Sequence, residues 1–248
     1  MRYYSRPELE HSLKKYLAEK QAEIRSGDDV ERIWTRARRT KRMKKVAQVL
    51  ASMTGIRERC MYCDDSRATD IDHYKPKREY FDMVFAWLNM LWVCAQCNRL
   101  KAIAFPLDDF GEGLILNPTL DDPWRHLVYD SMTNELSARW DAATGLESPK
   151  GRATLSVVSS LSHQAVNEGR GRTRRNLVRA VNSFMTSAGD QSDLLALSDA
   201  INDNDCYGLV DWFFLRDGVD EVPFRTMKVG RAPAWESVLA TLSERAPQ

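Results

Sequence analysis

The sequence predicts an α+β fold, mostly α, with a small cysteine-clamped module embedded between helical N- and C-terminal regions. Three observations carry this. Leu9, Leu13 and Leu17 recur at helical spacing near the start, and a helical pattern returns from about Thr154. Two CxxC pairs, Cys60-Met61-Tyr62-Cys63 and Cys94-Ala95-Gln96-Cys97, bracket short strand-like segments. At 248 residues, 43% hydrophobic and 29% charged, the chain has the length and composition to bury a sizeable core.

The N-terminal region, residues 1–55, reads as helix, a break at Ser26-Gly27-Asp28-Asp29, then a second helical run through Ile33, Trp34, Ala37, Val46 and Leu50. That run carries seven cations in the ten residues Arg36 to Lys45. Residues 1–50 hold 14 Lys/Arg against 7 Asp/Glu, whereas the other 198 hold 22 against 28, so the formal net charge of +1 hides a basic end. Such an asymmetry points to a polyanion, with Arg38, Arg39, Lys41 and Arg42 as candidate phosphate contacts.

The module comes next, over residues 56–104. Thr69 to Tyr74 alternates as a strand does and Pro76 stops it; Met90-Leu91-Trp92-Val93 reads as a short buried strand; Ala95 to Ala104 reads as a helix that begins inside the second cysteine pair. In the C-terminal region, residues 105–248, Leu127 to Asp130 and Leu136 to Trp140 are expected to form a hairpin around Met132-Thr133-Asn134. Helical pattern then runs to the end, with breaks near Gly169-Arg170-Gly171, Gly189-Asp190 and Asp217-Gly218 and a last helix after Pro233. Arg170, Arg172, Arg174, Arg175 and Arg179 are a second, weaker candidate for phosphate contact, and a helix terminus exposed to water is the preferred reading. The most apolar stretch, Val84 to Ala95, is too short to span a bilayer, and the polar start shows no cleavable signal peptide. Five cysteines, four of them in metal-type pairs, fit a reducing cytoplasm, so a cytoplasmic protein with no membrane partner is expected.

The four thiols predict a structural zinc, because a shell filled by four sulfurs leaves no position for water. Chemistry must then come from elsewhere, and Asp72-His73 is the candidate. Neighbours on a strand point to opposite faces, which suits two jobs: His73 aimed at a water and Asp72 at a cation. Asn98 adds a neutral oxygen ligand. One carboxylate, one amide oxygen and waters make a site for Mg²⁺ or Mn²⁺ rather than for zinc.

Together Cys60-x2-Cys63, Asp72-His73-x2-Pro76, Asn89 and Cys94-x2-Cys97-Asn98-x2-Lys101 resemble the HNH endonucleases of the ββα-metal superfamily over residues 60–101. The resemblance implies roles. His73 would be the general base, Asp72 a ligand of the catalytic ion, Asn89 the asparagine that orients the loop around the base, and Asn98 would stand where many members carry a last histidine. Lys101, one turn beyond Asn98, would face the same phosphate, and Arg99 and Lys77 the backbone of the bound strand. More loosely, Phe105-Pro106, Leu116-Asn117-Pro118 and Asp121-Asp122-Pro123 resemble the PtuB-like HNH subunits of Septu and retron anti-phage systems, which partner with a PtuA-like ATPase. The implied function is metal-dependent hydrolysis of DNA phosphodiester bonds in such a complex, the C-terminal region docking the partner. The alternative is a zinc-ribbon-type module that binds nucleic acid or protein without catalysis.

Overall fold

The computed structural model describes residues 1–243 and is mostly α-helical with three small two-stranded sheets. The first three helices are α1 (His11–Arg25), α2 (Val30–Ala37) and α3 (Lys41–Ser52). The Asp29 carboxylate caps α2 by accepting the Arg32 amide at 2.6 Å. What periodicity presented as one helical run is two helices, because the Thr40 hydroxyl accepts the Met43 amide at 3.2 Å and starts α3 afresh. The cation run therefore straddles a turn. Apolar faces of these helices, through Leu13, Leu17, Ile33, Trp34, Val46 and Leu50, close one core together with Val84, Phe85 and Met90.

Strand β1 (Asp70–His73) pairs antiparallel with β2 (Met90–Val93), Asp70 opposite Val93 and His73 opposite Met90. Helix α4 (Ala95–Lys101) starts one residue after Cys94, whose sulfur accepts the Cys97 amide and caps it. The result is a ββα unit. Alternation along β2 joins two cores: Met90 packs among the N-terminal helices, while Leu91 and Val93 pack into a second core. That second core runs from the four cysteines through Trp124, Leu161, Val181 and Phe213 to Trp235. The module thus shares its interior with the C-terminal region.

Beyond the module, β3 (Leu127–Tyr129) and β4 (Leu136–Ala138) form the expected hairpin, and β5 (Trp140–Asp141) pairs with β6 (Leu146–Glu147). Then come α5 (Pro149–Val157), α6 (Gln164–Thr186), α7 (Gln191–Asp203), α8 (Leu209–Leu215), α9 (Phe224–Gly230) and α10 (Ala232–Ser243). The break expected at Gly169-Arg170-Gly171 does not occur; α6 continues through it. Those glycines answer to packing. A Cβ at Gly169 would lie 2.1 Å from the Tyr207 hydroxyl, and one at Gly171 would lie 2.9 Å from the Asn134 side chain. Arg170 between them is buried, donating to the Leu161 carbonyl at 2.7 Å and the Asn134 carbonyl at 2.9 Å, so it is no exposed terminus. The breaks at Gly189-Asp190 and Asp217-Gly218 and the last helix do fall where expected, Asp190 forming a capping box with Asp193. Among the described residues no helix is long and apolar enough to cross a membrane.

Candidate functional site

The two cysteine pairs converge. Cys60 and Cys63 lie in the turn before β1, tied to β2 by the Met61 amide on the Trp92 carbonyl at 2.9 Å; Cys94 and Cys97 sit at the start of α4. Their sulfurs lie within 4.8 Å of one another, Cys63 and Cys94 4.0 Å apart, and all four are buried. A tetrahedral zinc with bonds of about 2.3 Å separates its sulfurs by about 3.8 Å, so the cluster fits that ion. A shell of four thiolates is closed, which makes the metal structural. Ser160 places its hydroxyl 3.0 Å from the Cys97 sulfur, so the residues beyond α5 abut the cluster.

A cavity of about 760 Å³ is lined by β1, Trp92 of β2, and Asn98, which follows Cys97 on α4. Five consecutive residues, 69–73, line it, so both faces of β1 contribute. The strand brings His73 and Asp72, and α4 brings Asn98. N-terminal helices supply the opposite wall, with Glu31, Trp34, Arg38 and Lys44.

His73 is held by its neighbours. Its Nε2 lies 2.9 Å from the Val84 carbonyl, and the Trp34 ring meets it edge-on with centroids 4.4 Å apart. A carbonyl only accepts, so Nε2 carries the proton and Nδ1 keeps the lone pair. Burial pushes the imidazole down to about 3, and the nearby Lys77 ammonium adds to that. His73 is thus neutral, with its lone pair available, throughout the physiological range.

Asp72 and Asn98 are fixed by a ladder between β1 and α4. Lys101 reaches Asp72 Oδ2 at 3.2 Å and the His73 carbonyl at 2.7 Å. Asn98, one turn earlier on α4, donates its amide to Asp70 Oδ2 at 3.1 Å. Burial raises the Asp72 carboxyl and the Lys101 charge opposes that rise. Lys101 departs from expectation: it is 0% exposed, its ammonium held inside the module and out of reach of a bound phosphate. Asn89 is also buried. Its oxygen accepts the Lys75 amide at 2.7 Å and its nitrogen donates to the Lys75 and Met83 carbonyls, tying down the segment whose next residue, Val84, holds His73.

The cations divide. Arg38 and Lys77 line the cavity, Lys77 pairing with Glu31 at 3.0 Å and lying over the Trp34 ring. Arg39, Lys41 and Arg42 do not line it; Arg42 lies over the Tyr16 ring and 4.0 Å from Glu19. Arg99 is exposed on α4, bonded to Gln96. Reading the sequence missed Asp70, Trp34, Lys44 and Arg78, all of which line the cavity. Two of them had a local signal: Asp70 in its two-residue spacing from Asp72 on a strand, and Lys44 in its place within the cation run.

A buried neutral histidine predicts acid lability. The unfolded chain takes up the His73 proton below its ordinary value near 6.5, and the folded chain does so only near 3. Stability is therefore lost as pH falls through that window, by about 1.4 kcal/mol per pH unit at full slope. Asp72, whose carboxyl is raised, works in the opposite sense. The difference between wild type and His73→Gln in urea melts from pH 6 to pH 4 isolates the histidine: the wild type should lose more stability, and parallel curves would contradict the shift.

The fold and site define a ββα unit framed by a four-cysteine cluster, with an imidazole, a carboxylate and an amide on one cavity. No protein-family profile matches the chain. It is 31% identical over 83 residues to the Septu protein PtuB of Bacillus thuringiensis, across 32% of this chain and 31% of that protein. It is 28% identical over 101 residues to the Septu protein PtuB of Bacillus mycoides (strain KBAB4), across 29% of this chain and 34% of that protein. The chain thus spans about a third of the length of the curated relatives it matches, and these partial matches support a PtuB-like relationship.

Proposed function

We propose that the chain is a metal-dependent HNH endonuclease that cuts DNA as the nuclease subunit of a Septu-like anti-phage complex with an ATPase partner. The observation that carries this reading is the fixed tautomer of His73 beside Asp72 and Asn98 on one cavity. Phosphodiester hydrolysis needs an activated water, neutralised phosphate charge and a stabilised leaving oxygen. His73 Nδ1 takes the proton from the attacking water. Asn89 keeps the Met83–Val84 segment in place, so the His73 ring presents Nδ1 and not Nε2. The Lys101 ammonium, 3.2 Å from Asp72 Oδ2, favours the ionised carboxylate against the burial that disfavours it. Asp72 and Asn98 offer the hard oxygen donors that suit Mg²⁺ or Mn²⁺, which when bound supplies the charge neutralisation. Residues 1–55 would form the basic wall, 56–104 the nuclease module and 105–248 the surface for the partner, all in the cytoplasm.

Supercoiled plasmid incubated with the purified chain, with and without its ATPase partner, tests the function. Nicked or linear product should form in Mg²⁺ or Mn²⁺ and be absent in EDTA. Intact plasmid under every metal and partner condition would contradict the reading and leave a binding module.

The division among the cations gives a second expectation. Removing Arg38 and Lys44 together should flatten the salt dependence of duplex binding, by about 0.9 in log–log slope per lost phosphate contact. Removing Arg39 and Lys41, which do not line the cavity, should change it less. Fluorescence anisotropy over a range of salt checks this, and equal slopes for the two double variants would remove the cavity wall from the DNA path.

A further inference from the structure

Resting on the nuclease reading, we propose that Asp70 is a positioning residue for the catalytic cation: its carboxylate turns the Asn98 amide so that the amide oxygen faces the metal. Asp70 and Asp72 are two residues apart on β1 and share a face of the strand. Asn98 and Lys101 are three apart on α4 and share a face of the helix. The two rows meet as two rungs, Asp70 with Asn98 at 3.1 Å and Asp72 with Lys101 at 3.2 Å.

The register makes the first rung possible. Asp70 lies opposite Val93, the last residue of β2, and α4 begins two residues later under the Cys94 cap. The start of α4 is therefore carried to the end of β1 where Asp70 stands. All of Asp70, Asp72 and Asn98 line the cavity.

The chemistry of the rung settles its direction. A carboxylate only accepts, so the Asn98 group that meets Asp70 is the NH₂. The Asn98 oxygen is left unused by that bond and is free for a cation. No other side-chain bond of Asn98 is formed among the described residues, so Asp70 alone fixes which end of the amide faces the cavity. Without it the amide would present its NH₂ about as readily as its oxygen, and a metal would have to turn it on binding. Partners that orient a ligand in this way typically govern about 10–100-fold in metal affinity.

The test uses zinc-loaded full-length protein and Mn²⁺ itself, followed as loss of the free-ion electron paramagnetic resonance signal without DNA. Asp70→Ala should weaken Mn²⁺ binding by about 10–100-fold. Asp70→Asn, whose oxygen accepts the same bond, should stay within a few-fold of wild type. Far-UV circular dichroism and zinc content should be unchanged in both. Mn²⁺ binding by Asp70→Ala equal to wild type would overturn the proposal. So would Asp70→Asn as weak as Asp70→Ala, since the charge rather than the hydrogen bond would then matter. These outcomes leave the nuclease reading standing provided wild type binds Mn²⁺ and Asp72→Ala does not; if wild type binds none, both fall.

Discussion

Cys97→Ser should strip the zinc and unfold the ββα unit. Structural zinc contributes about 10–16 kcal/mol in zinc-finger peptides near neutral pH, which matches or exceeds the whole stability of an ordinary domain. The unit's own elements are short, β1 and β2 of four residues each and α4 of seven, so the rest of its support comes from the two cores it joins. The damage should spread, because the four cysteines are continuous with the core that runs to Trp235 and Ser160 touches Cys97. Zinc per chain, measured by mass spectrometry, should fall from one toward zero and the melting temperature should drop sharply; a strong chelator should do the same to wild type. Cys206→Ser is the control. Cys206 is buried but stands outside the cluster, so its loss should leave the zinc in place. A Cys97→Ser protein that keeps its metal and its melting temperature would contradict the structural role.

Much of this was legible in the sequence because the signals are local. The CxxC spacing declared the cluster, alternation declared β1, and leucine periodicity declared α1. Asp72-His73 stood out as an adjacent carboxylate and imidazole and Asn98 as the residue after the last cysteine, and the three line one cavity. What stayed hidden depends on tertiary contact. Thr40 divides α2 from α3 with a cap whose residue type occurs inside helices too. Gly169 and Gly171 looked like breaks, but the close approach of Tyr207 and Asn134 explains them without one. Lys101 looked like a phosphate contact because it sits one turn from Asn98; that placement is right, and it is burial that turns the ammonium onto Asp72. In the wall supplied by Trp34, Arg38 and Lys44 the cation run announced the two basic residues, but which of its members face the cavity, and that Trp34 joins them, depends on how the N-terminal helices pack and leaves no mark at short range.

His73→Ala should abolish cleavage while leaving the zinc and the fold in place. A general base contributes about 10²–10⁴-fold, and no other imidazole among the described residues lines the cavity to replace it. His11, His126 and His163 lie outside it, His126 bonded to Ser148 and His163 capping α6. Because His73 is buried against Trp34 and Val84, removing it leaves a void, so His73→Gln serves as a better-filling second variant. The contrast with Cys97→Ser separates frame from chemistry: one variant loses structure, the other only turnover. The most direct measurement is single-turnover cleavage of supercoiled plasmid in Mg²⁺ or Mn²⁺, with the partner present, by wild type, His73→Ala and His73→Gln at matched zinc content. A loss of about 10²-fold or more in both variants is the predicted result; a rate within a few-fold of wild type in either would contradict the assignment of His73 as the base.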